Sequence, residues 1–425
     1  MKSIKLKYGS EKLSCPLPGA DVITAQALPE VENAEVLIRR SLNEPIASPS
    51  LSELISPGEK VAIVTSDITR YSGSEVYLPI LVEELNRIGV PDRDIEVIIA
   101  LGIHRKQTEE EHRKILGPLW ERIAVYDHEC DDSEQLIDLG TTVSGIPVQV
   151  FRRVVEADRV LVTGTVGFHY FAGFGGGRKG LIPGVASRET CMASHFAVFN
   201  PPEIGGKNPH AVTGVLDGNP VHLNLLQAAH LVKPDFLLNT VLSPQKNILG
   251  VFSGDLEQAH LAACDMVRDL FQVELDSAAD LAVISCGGDP KDINFIQAQK
   301  ALDYGCRAVR EGGTIILLAA CQDGFGHPTF FDWFRFQDLD EFEQALRDNY
   351  QINGQTAHAV LSKARRFRVI LISEFSREET ETMGMEKASS LQSALDSVLP
   401  QLDSKAKIIV IPDGGMVLPT VKKTI

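Results

Sequence analysis

The sequence lacks a long apolar run, an excess of positive charge and any C-x-x-C pair. No apolar stretch approaches the ~20 residues that a helix needs to cross a bilayer, and the amino terminus, MKSIKLKYGSEKLSC, lacks the apolar core of a secretory signal. The formal charge of −16 argues against nonspecific binding to nucleic acid or to an anionic membrane. The seven scattered cysteines indicate a reducing cytosol and give no zinc or iron–sulfur signature. We therefore expect a cytoplasmic protein without nucleic-acid or membrane partners.

The fold class follows from apolar β-branched runs that alternate with helical patterns. Three such runs in the first half are VAIVTSD (61–67), DIEVIIALG (94–102) and ADRVLVTGTVG (157–167), and the alternation restarts at LAVISCGG (281–288). Continuous apolar strands between amphipathic helices are typical of parallel sheets covered on both faces. The sequence predicts an α/β protein of two lobes, each a mostly parallel sheet flanked by helices, with the active site in the cleft between the lobes.

The length of 425 residues is too great for one ordinary core and favours two or three domains. We predict a larger N-terminal domain from residues 1–265 together with 400–425, and a smaller C-terminal α/β domain over 278–385. Helical patterns near 256–273 and 388–400 are predicted as connectors.

Polar side chains follow the predicted strands at once, where ligands sit in such folds. Asp67 and Arg70 come after the first strand: Arg70 is either a surface residue beside a helix cap or a bidentate ligand for a carboxylate or phosphate, with Asp67 orienting a neighbour. His104 and His169 follow the next two runs, at their carboxyl ends. A lone histidine at such a position is either a packed residue or an acid/base group facing a cleft.

A glycine-rich segment, HYFAGFGGGRKGLIPG (169–184), follows the third strand. Its backbone can adopt positive φ and point N–H groups at an anion. The Walker pattern does not fit because Arg178 precedes Lys179 and Gly180 follows it. Lys179 is thus available as a cation or as a nucleophile. On the next predicted helix, Cys191 and His195 are four residues apart; they form either a zinc pair, although the spacing matches no structural zinc site, or a helix face with a buried cysteine.

In the second lobe, Gln297 and Lys300 lie three residues apart at the start of a predicted helix. A cation there opposes the helix dipole, so Lys300 is explained either by a bound anion or as a solvated lysine.

Together these segments resemble the nickel-dependent lactate racemase family, whose members racemise or epimerise 2-hydroxy acids. The resemblance runs over nearly the whole chain and depends on SDITR, GIHRKQT, HYFAGFGGGRKGLIPG with the downstream ASH, and DPKDINFIQAQKAL. The combination of HxxAGxxGGRK, a histidine sixteen residues after the lysine and a distal GxHR is highly specific.

The resemblance implies a cofactor, the nickel pincer nucleotide, which is a pyridinium-3-thioamide-5-thiocarboxylic acid mononucleotide holding Ni, in the larger domain. By the same resemblance, Lys179 is its covalent attachment point, His195 is the nickel ligand, and His104 and His169 are the paired acid/base residues. The expected further cofactor contacts are Asp67, Gly175, Gly176 and Gly177. The expected substrate contacts are Arg70, Lys300 and Gln297. Proteins that make the cofactor are implied as partners, and the oligomeric state stays open.

The implied chemistry is coherent, because removing a proton from C2 of a hydroxy carboxylate would build a second negative charge beside the first. Removing hydride instead leaves a neutral carbonyl and needs only a base for the hydroxyl proton. The family often has Pro after the Thr-Arg pair, whereas this chain has Tyr71; the difference concerns the substrate pocket. Two other functions stay open: phosphoryl transfer on the glycine loop, and non-catalytic binding of a small anion.

Overall fold

Six strands form the first sheet, and three of them are the apolar runs of the first half of the sequence. The computed structural model describes residues 4–422. In sheet order, the strands are Ile248–Gly254, Phe236–Leu242, Arg159–Val166, Val61–Ser66, Ile95–Ala100 and Ala124–Asp127. Neighbouring strands are parallel, except that Phe236–Leu242 and Ile248–Gly254 form an antiparallel pair at one edge. The predicted mostly parallel sheet is confirmed.

Burial on both faces explains why these strands read as continuous apolar runs. Residues 61–65 are all buried in the central strand. The helix Ser74–Ile88 packs an apolar face on this sheet, and Tyr77, Leu81 and Leu85 belong to the same core. The helices of this part of the chain are Ala34–Asn43, Leu51–Leu54, Ser74–Ile88, Glu109–Leu116, Arg152–Val155, Arg188–Phe196, Pro220–Val232 and Gln258–Phe271. Two short antiparallel ribbons pair Leu136–Thr141 with Pro147–Phe151 and Phe168–His169 with Gly173–Phe174.

A second six-stranded sheet is parallel throughout. Its strands in sheet order are Glu386–Lys387, Arg368–Ile372, Val309–Leu318, Ala279–Ser285, Ile408–Ile411 and Asp21–Val22. Its helices are Phe295–Gly305, Pro328–Asp332, Leu339–Asp348, Ile352–Arg366, Arg377–Thr382 and Leu391–Val398. The strands Gln272–Leu275 and Leu418–Val421 form a separate parallel pair, and Ile4–Tyr8 and Glu11–Cys15 form the opening hairpin.

The chain divides into two compact units, and the division differs from the predicted one at both chain ends. One unit is Leu28–Arg268, and the other contains the residues up to Ala27 and those from Asp269 onward. The predicted domain of 1–265 with 400–425 differs from the observed unit because both chain ends belong to the other unit: Asp21–Val22 and Ile408–Ile411 pair within the second sheet. The boundary falls inside the helix Gln258–Phe271, where a connector is predicted. A short apolar strand carries no local sign of which sheet it joins.

Within residues 4–422, no helix is long and apolar enough to cross a membrane. All seven cysteines are free thiols.

Candidate active site

Three of the predicted site segments leave the first sheet at one edge, because the strands that precede them are parallel neighbours. Asp67 follows Val61–Ser66, which lies between the strand that precedes His104 and the strand that precedes His169. After the central strand Val61–Ser66, the chain forms its neighbour Ile95–Ala100 on one side of it, and later forms Arg159–Val166 on the other side. Such a reversal of strand order opens a crevice at the carboxyl ends of the strands, where ligands bind in folds of this type.

His104 is held by a buried carboxylate. Its Nδ1 lies 2.6 Å from Oδ2 of Asp67, which is only 3% exposed. The other oxygen, Oδ1, accepts hydrogen bonds from the backbone N–H and the hydroxyl of Thr69, at 2.8 and 2.5 Å. Burial acts to raise the pKa of Asp67, but the hydrogen bonds from His104 and Thr69 outweigh it and hold that pKa below its ordinary value. An ionised carboxylate only accepts hydrogen bonds, so Nδ1 of His104 carries a proton and Nε2 of a neutral ring presents a lone pair.

This arrangement favours the orienting role of Asp67 over the predicted cofactor contact. Both carboxylate oxygens are engaged by His104 and Thr69, and the side chain is enclosed. Asp67 therefore fixes the tautomer and direction of the imidazole.

His169 has the opposite proton placement. Its Nδ1 accepts a hydrogen bond from the backbone N–H of Ala172 at 3.3 Å, so the proton of a neutral ring is on Nε2. The ring stacks on Tyr170 at 5.4 Å between centroids and meets the edge of Phe171 at 4.5 Å. In their neutral rings, Nε2 of His104 thus lacks a proton and Nε2 of His169 carries one.

The buried ring of Phe171 brings three predicted residues together. His169 contacts it as described, the ring of His195 lies 5.1 Å away, and the Nζ of Lys179 lies 5.8 Å from its centre. Arg70 is close enough for its charge to act on both Lys179 and His195. The fold therefore gathers these side chains from three separate segments of the chain.

His195 is prepared to act as a ligand through one nitrogen. Its Nδ1 lies 2.7 Å from the carbonyl oxygen of Cys191, so Nδ1–H donates to that carbonyl and Nε2 presents its lone pair. Burial, with the nearby charge of Lys179, lowers the pKa of His195 to about 3, so the ring is neutral at physiological pH.

Lys179 is a half-buried amine that loses its proton unusually easily. Burial is the main cause, and the charges of Arg178 and Arg70 add to it, so that the pKa of Lys179 falls to about 7. A substantial fraction of the amine is uncharged at neutral pH. This favours the nucleophile over the simple cation among the two interpretations of the sequence.

The glycine loop is packed against the protein more closely than a phosphate cradle requires. The N–H of Gly175 donates to the carbonyl of Gly167 at 2.8 Å, and that of Gly177 donates to Oδ1 of Asn239 at 2.7 Å. A Cβ at Gly177 would lie 2.6 Å from the ring of His260, and one at Gly176 would lie 2.7 Å from Val166. The N–H groups of Gly175 and Gly177 therefore have partners within the protein, and close packing explains the glycines at 176 and 177, so the predicted N–H cradle stays a prediction for Gly176.

Gln297 and Lys300 lie in the second unit, on the helix Phe295–Gly305. Nζ of Lys300 donates to Oε1 of Gln297 at 2.6 Å. The first N–H groups of the helix donate to the carbonyls of Gly324 and Phe325 and to the side chain of Asn294. The helix terminus is therefore capped by the protein, and an anion near Lys300 would be bound by side chains and not by the helix N–H groups.

Two parts of the chain match models of known domains. Residues 8–205 match the lactate racemase N-terminal domain, and residues 275–418 match the lactate racemase C-terminal domain. The chain is 32% identical to the lactate racemase of Thermoanaerobacterium thermosaccharolyticum over 430 residues, covering 98% of this chain and 99% of that protein. This chain belongs to the lactate racemase family. It is therefore an isomerase, which displaces the phosphoryl-transfer and non-catalytic alternatives.

Further relatives agree with this membership. The lactate racemase of Lactiplantibacillus plantarum is 33% identical over 388 residues, covering 89% of each chain. The solved structure of the lactate racemase apoprotein from T. thermosaccharolyticum superposes with a TM-score of 0.87, covering 99% of this chain and 100% of that one at 32% identity. A Thermotoga maritima protein shares the fold at a TM-score of 0.66 and 22% identity, covering 92% of this chain and 98% of that one. The predicted family and two-lobed α/β fold are confirmed.

The alternative zinc pair on the helix Arg188–Phe196 is not favoured. Sγ of Cys191 lies 3.8 Å from Nδ1 of His195, but that nitrogen is already engaged by the carbonyl of Cys191. Burial raises the pKa of Cys191 to about 12, which disfavours the thiolate that zinc would need. Among residues 4–422, no group of three or more His, Cys, Asp or Glu side chains is arranged to hold a metal ion.

Arg178 and His260 also belong to this region, although no sequence motif marks them as site residues. Arg178 is enclosed beneath the glycine loop, and Nη1 lies 3.0 Å from Nε2 of His260. Burial is the main cause that lowers the pKa of His260, and the charge of Arg178 adds to it. The sequence signal for this pair was limited to the Arg178–Lys179 dipeptide, which marked a departure from the Walker pattern.

Stability should fall as the pH is lowered, because four buried histidines take up protons on unfolding. Burial lowers the pKa of His128 to about 4 and those of His195 and His222 to about 3, and it lowers the pKa of His260 as well. The unfolded chain, with histidine pKa values near 6.5, protonates first, so stability is complete above about pH 6.5 and declines toward pH 4. Each histidine removes about 1.4 kcal/mol per pH unit within that window.

Urea unfolding of the apoprotein between pH 7.5 and 4.5 measures this loss. His128→Leu should flatten the dependence by one proton, whereas His230→Gln, at an exposed position, should leave it unchanged. Stability that is constant from pH 7 to 5 would contradict the prediction.

Proposed function

We propose that this enzyme racemises or epimerises a 2-hydroxy acid by removing and returning hydride at C2, with His104 and His169 as its acid/base pair. The observation that carries the proposal is the gathering of His169, Lys179 and His195 around Phe171. A second histidine, His104, is fixed by Asp67 at the same edge of the sheet.

The two histidines handle the hydroxyl proton. The lone pair on Nε2 of His104 accepts the proton of a substrate hydroxyl, and the Asp67 carboxylate stabilises the imidazolium that forms. Nε2–H of His169 can donate a hydrogen bond to a substrate oxygen on its own side. Because the two enantiomers present hydroxyl groups of opposite hand, each histidine is proposed to accept the hydroxyl proton of one of them. His169 can do so when its own proton is on Nδ1, which requires that Nδ1 release the N–H of Ala172.

The residues present fit a nickel pincer nucleotide. His195 offers one neutral nitrogen, which fits a metal whose other ligands belong to the cofactor itself, and Lys179 offers an uncharged amine close to the same ring. When bound, this cofactor supplies an acceptor for hydride. Lys179 would hold it covalently and His195 would hold its nickel. Of the three predicted glycines, Gly176 is the one whose N–H is left as a candidate contact.

The substrate carboxylate is proposed to bind to cationic and amide side chains. Arg70 follows the central strand of the first sheet, next to Asp67, and its guanidinium suits bidentate binding of a carboxylate. In the second unit, Lys300 and Gln297 form a hydrogen-bonded pair that can present Nζ to the same type of group.

Lys300→Met should lower kcat/KM for the substrate by about 10- to 150-fold, since a hydrogen bond between charged groups contributes about 1.5–3 kcal/mol. The loss should appear mainly in KM. Steady-state kinetics with Lys407→Met as control tests this, because Lys407 lies at the amino end of the strand Ile408–Ile411 and donates to the carbonyl of Ser277. Unchanged KM in Lys300→Met would remove Lys300 from the proposed site.

Lactate is the first substrate to test, because both curated relatives are named for it. Tyr71, beside Arg70, is a difference in the pocket wall: its hydroxyl donates to Glu75 at 2.7 Å, and Nζ of Lys246 lies 5.1 Å from its ring centre. Larger 2-hydroxy acids therefore belong in the same assay.

The deciding experiment is chiral analysis of single enantiomers of lactate, malate, longer aliphatic, aromatic and sugar acids with protein from a host that makes the cofactor. We expect at least one of these acids to be converted to an equal mixture of its two enantiomers or, where it has a further stereocentre, to its epimer at C2. Substrate carrying deuterium at C2 should keep the label in the product. Exchange of the label with water would contradict hydride removal, and no reaction with any acid would contradict the proposed function. A cytosolic location and dependence on cofactor-making proteins stay predictions.

A further inference from the structure

Arg178 is a buried cation whose hydrogen bonds go to carbonyl oxygens and an imidazole. It is 1% exposed, and Nη2 donates to the carbonyls of Ala172 at 2.8 Å and Phe174 at 3.1 Å. Nη1 lies 3.0 Å from Nε2 of His260, which in turn lies 2.9 Å from the carbonyl oxygen of Gly175. Nε has no hydrogen-bond partner among the described residues. Since the charged guanidinium can only donate, Nε2 of the neutral His260 ring accepts from Nη1 of Arg178, and it then has no proton for Gly175. The guanidinium thus holds the two carbonyl groups of Ala172 and Phe174, and the imidazole holds the guanidinium.

This arrangement is costly for stability alone. A guanidinium taken out of water loses solvation that carbonyl oxygens replace only in part, and an unpaired buried N–H adds to the cost. An apolar side chain in the same space would avoid both. Burial lowers the pKa of Arg178 to about 10, which still leaves the group charged at neutral pH. Such a group is well explained when the shape it imposes on the loop is needed.

The path of the glycine loop determines where the amine of Lys179, the residue after Arg178, is placed. The glycine loop before Lys179 follows a path with positive φ at Gly173, Gly176 and Gly177. Glycines adopt many conformations, so the path is defined only by the contacts that hold its carbonyl and N–H groups. The short helical turn Gly177–Gly180 then carries Lys179 with its Nζ over the ring of Phe171.

We propose that Arg178 is a positioning residue: by binding the carbonyl groups of Ala172 and Phe174 together with His260, it fixes the glycine loop and places the Lys179 amine over Phe171. Its importance for catalysis depends on the proposed function, in which Lys179 holds the cofactor, but the placement itself is a property of the apoprotein. His260 assists by occupying the space that the missing side chain of Gly177 leaves.

The position of the amine can be read in the apoprotein without any cofactor. Reductive methylation with ¹³C-formaldehyde converts each lysine to a dimethyl amine that keeps its basic nitrogen and gives one NMR signal. The Lys179 signal is assigned by its loss in Lys179→Arg. We expect it to be displaced from the other lysine signals by the ring current of Phe171, and Phe171→Leu should remove the displacement.

The test is Arg178→Met, which keeps much of the volume and removes the donors. Its Lys179 signal should move to the position of exposed lysines, while Arg178→Lys, with one charged donor group, should retain part of the displacement. If Arg178→Met does not fold, His260→Leu should have the same effect, and His260→Gln should restore the signal because an amide can both accept and donate. Arg159→Met is the matched control. Arg159 binds Glu59 and Asp235 at the start of the strand Arg159–Val166, which precedes the glycine loop.

If the Lys179 signal of folded Arg178→Met or His260→Leu keeps its wild-type displacement from the other lysine signals, the proposal is overturned. The fraction of chains that carry the cofactor, measured by intact mass, gives a second readout and should fall in Arg178→Met. If the NMR change occurs but wild-type protein never carries an adduct, the proposed function fails while the positioning role stands. If the same fraction of chains carries the adduct in wild type and in Arg178→Met, the positioning role fails while the proposed function stands.

Discussion

Replacement of His104 by glutamine is expected to lower racemisation by about 10²- to 10⁴-fold, the usual contribution of a positioned acid/base group. Glutamine can still bind Asp67, so the fold should persist, but it offers no nitrogen that takes up a proton near neutral pH. Because two enantiomers have equal free energy, kcat/KM must fall by the same factor in both directions. Time courses followed by chiral chromatography from each pure enantiomer measure this.

Asp67→Asn should cause a loss of similar size through the tautomer of His104. The N–H and hydroxyl of Thr69 both donate to Oδ1, so the amide oxygen of the substituted side chain would stay at that position and its NH₂ would face the imidazole. Nδ1 of His104 must then accept, and the proton moves to Nε2. Nε2 of His104 then has no lone pair to accept the hydroxyl proton, although the ring keeps its position. We therefore expect kcat to fall more than KM rises.

His112→Gln provides the matched control for the first of these changes. His112 also pairs with an aspartate, with Nε2 lying 2.8 Å from Oδ1 of Asp127, and it lies in the same unit. It should cost some stability and little activity. Full activity in His104→Gln, or equal losses in His104→Gln and His112→Gln, would contradict the acid/base assignment.

The strand ends were predictable because their signal is local. A mostly apolar strand of six residues followed directly by Asp67, or within four residues by His104, shows both that the strand is buried and that a polar group leaves its end. Parallel neighbours then place those groups at one edge. The register between the strands, however, is set by pairing over long sequence distances, and the sequence alone does not contain the 2.6 Å contact of Asp67 with His104.

Features that depend on distant partners could not be predicted. The glycine loop looked like an open anion cradle, yet the N–H of Gly177 is taken by Asn239 and its missing side chain makes room for His260. Both partners lie far along the chain from the loop that they hold. The strand Ile408–Ile411 was recognisable as a strand, but its place beside Ala279–Ser285 follows from packing that no local pattern records.

Lys179→Ala should abolish the covalent cofactor while leaving the fold intact. Protein from a host that makes the cofactor is expected to exceed the sequence mass, since a half-buried amine with a pKa of about 7 has a substantial uncharged, nucleophilic fraction at neutral pH. Without the amine, the excess mass and the racemisation should both disappear. Intact-mass spectrometry, with peptide mapping of residue 179 in the wild type, measures the adduct independently of activity.

His195→Ala separates attachment from metal binding. Because His195 lies beside Phe171, as Lys179 does, but presents Nε2 independently of the amine, its loss should leave the covalent adduct in place and reduce the nickel content measured by elemental analysis. Lys60→Ala, an exposed lysine at the start of the central strand of the first sheet, should change neither quantity. An adduct that survives in Lys179→Ala would place the attachment on another residue, and nickel retained at wild-type level in His195→Ala would show that the ring nitrogen is not the ligand. The two variants together thus test the attachment and the ligand separately, without requiring that the substrate be known.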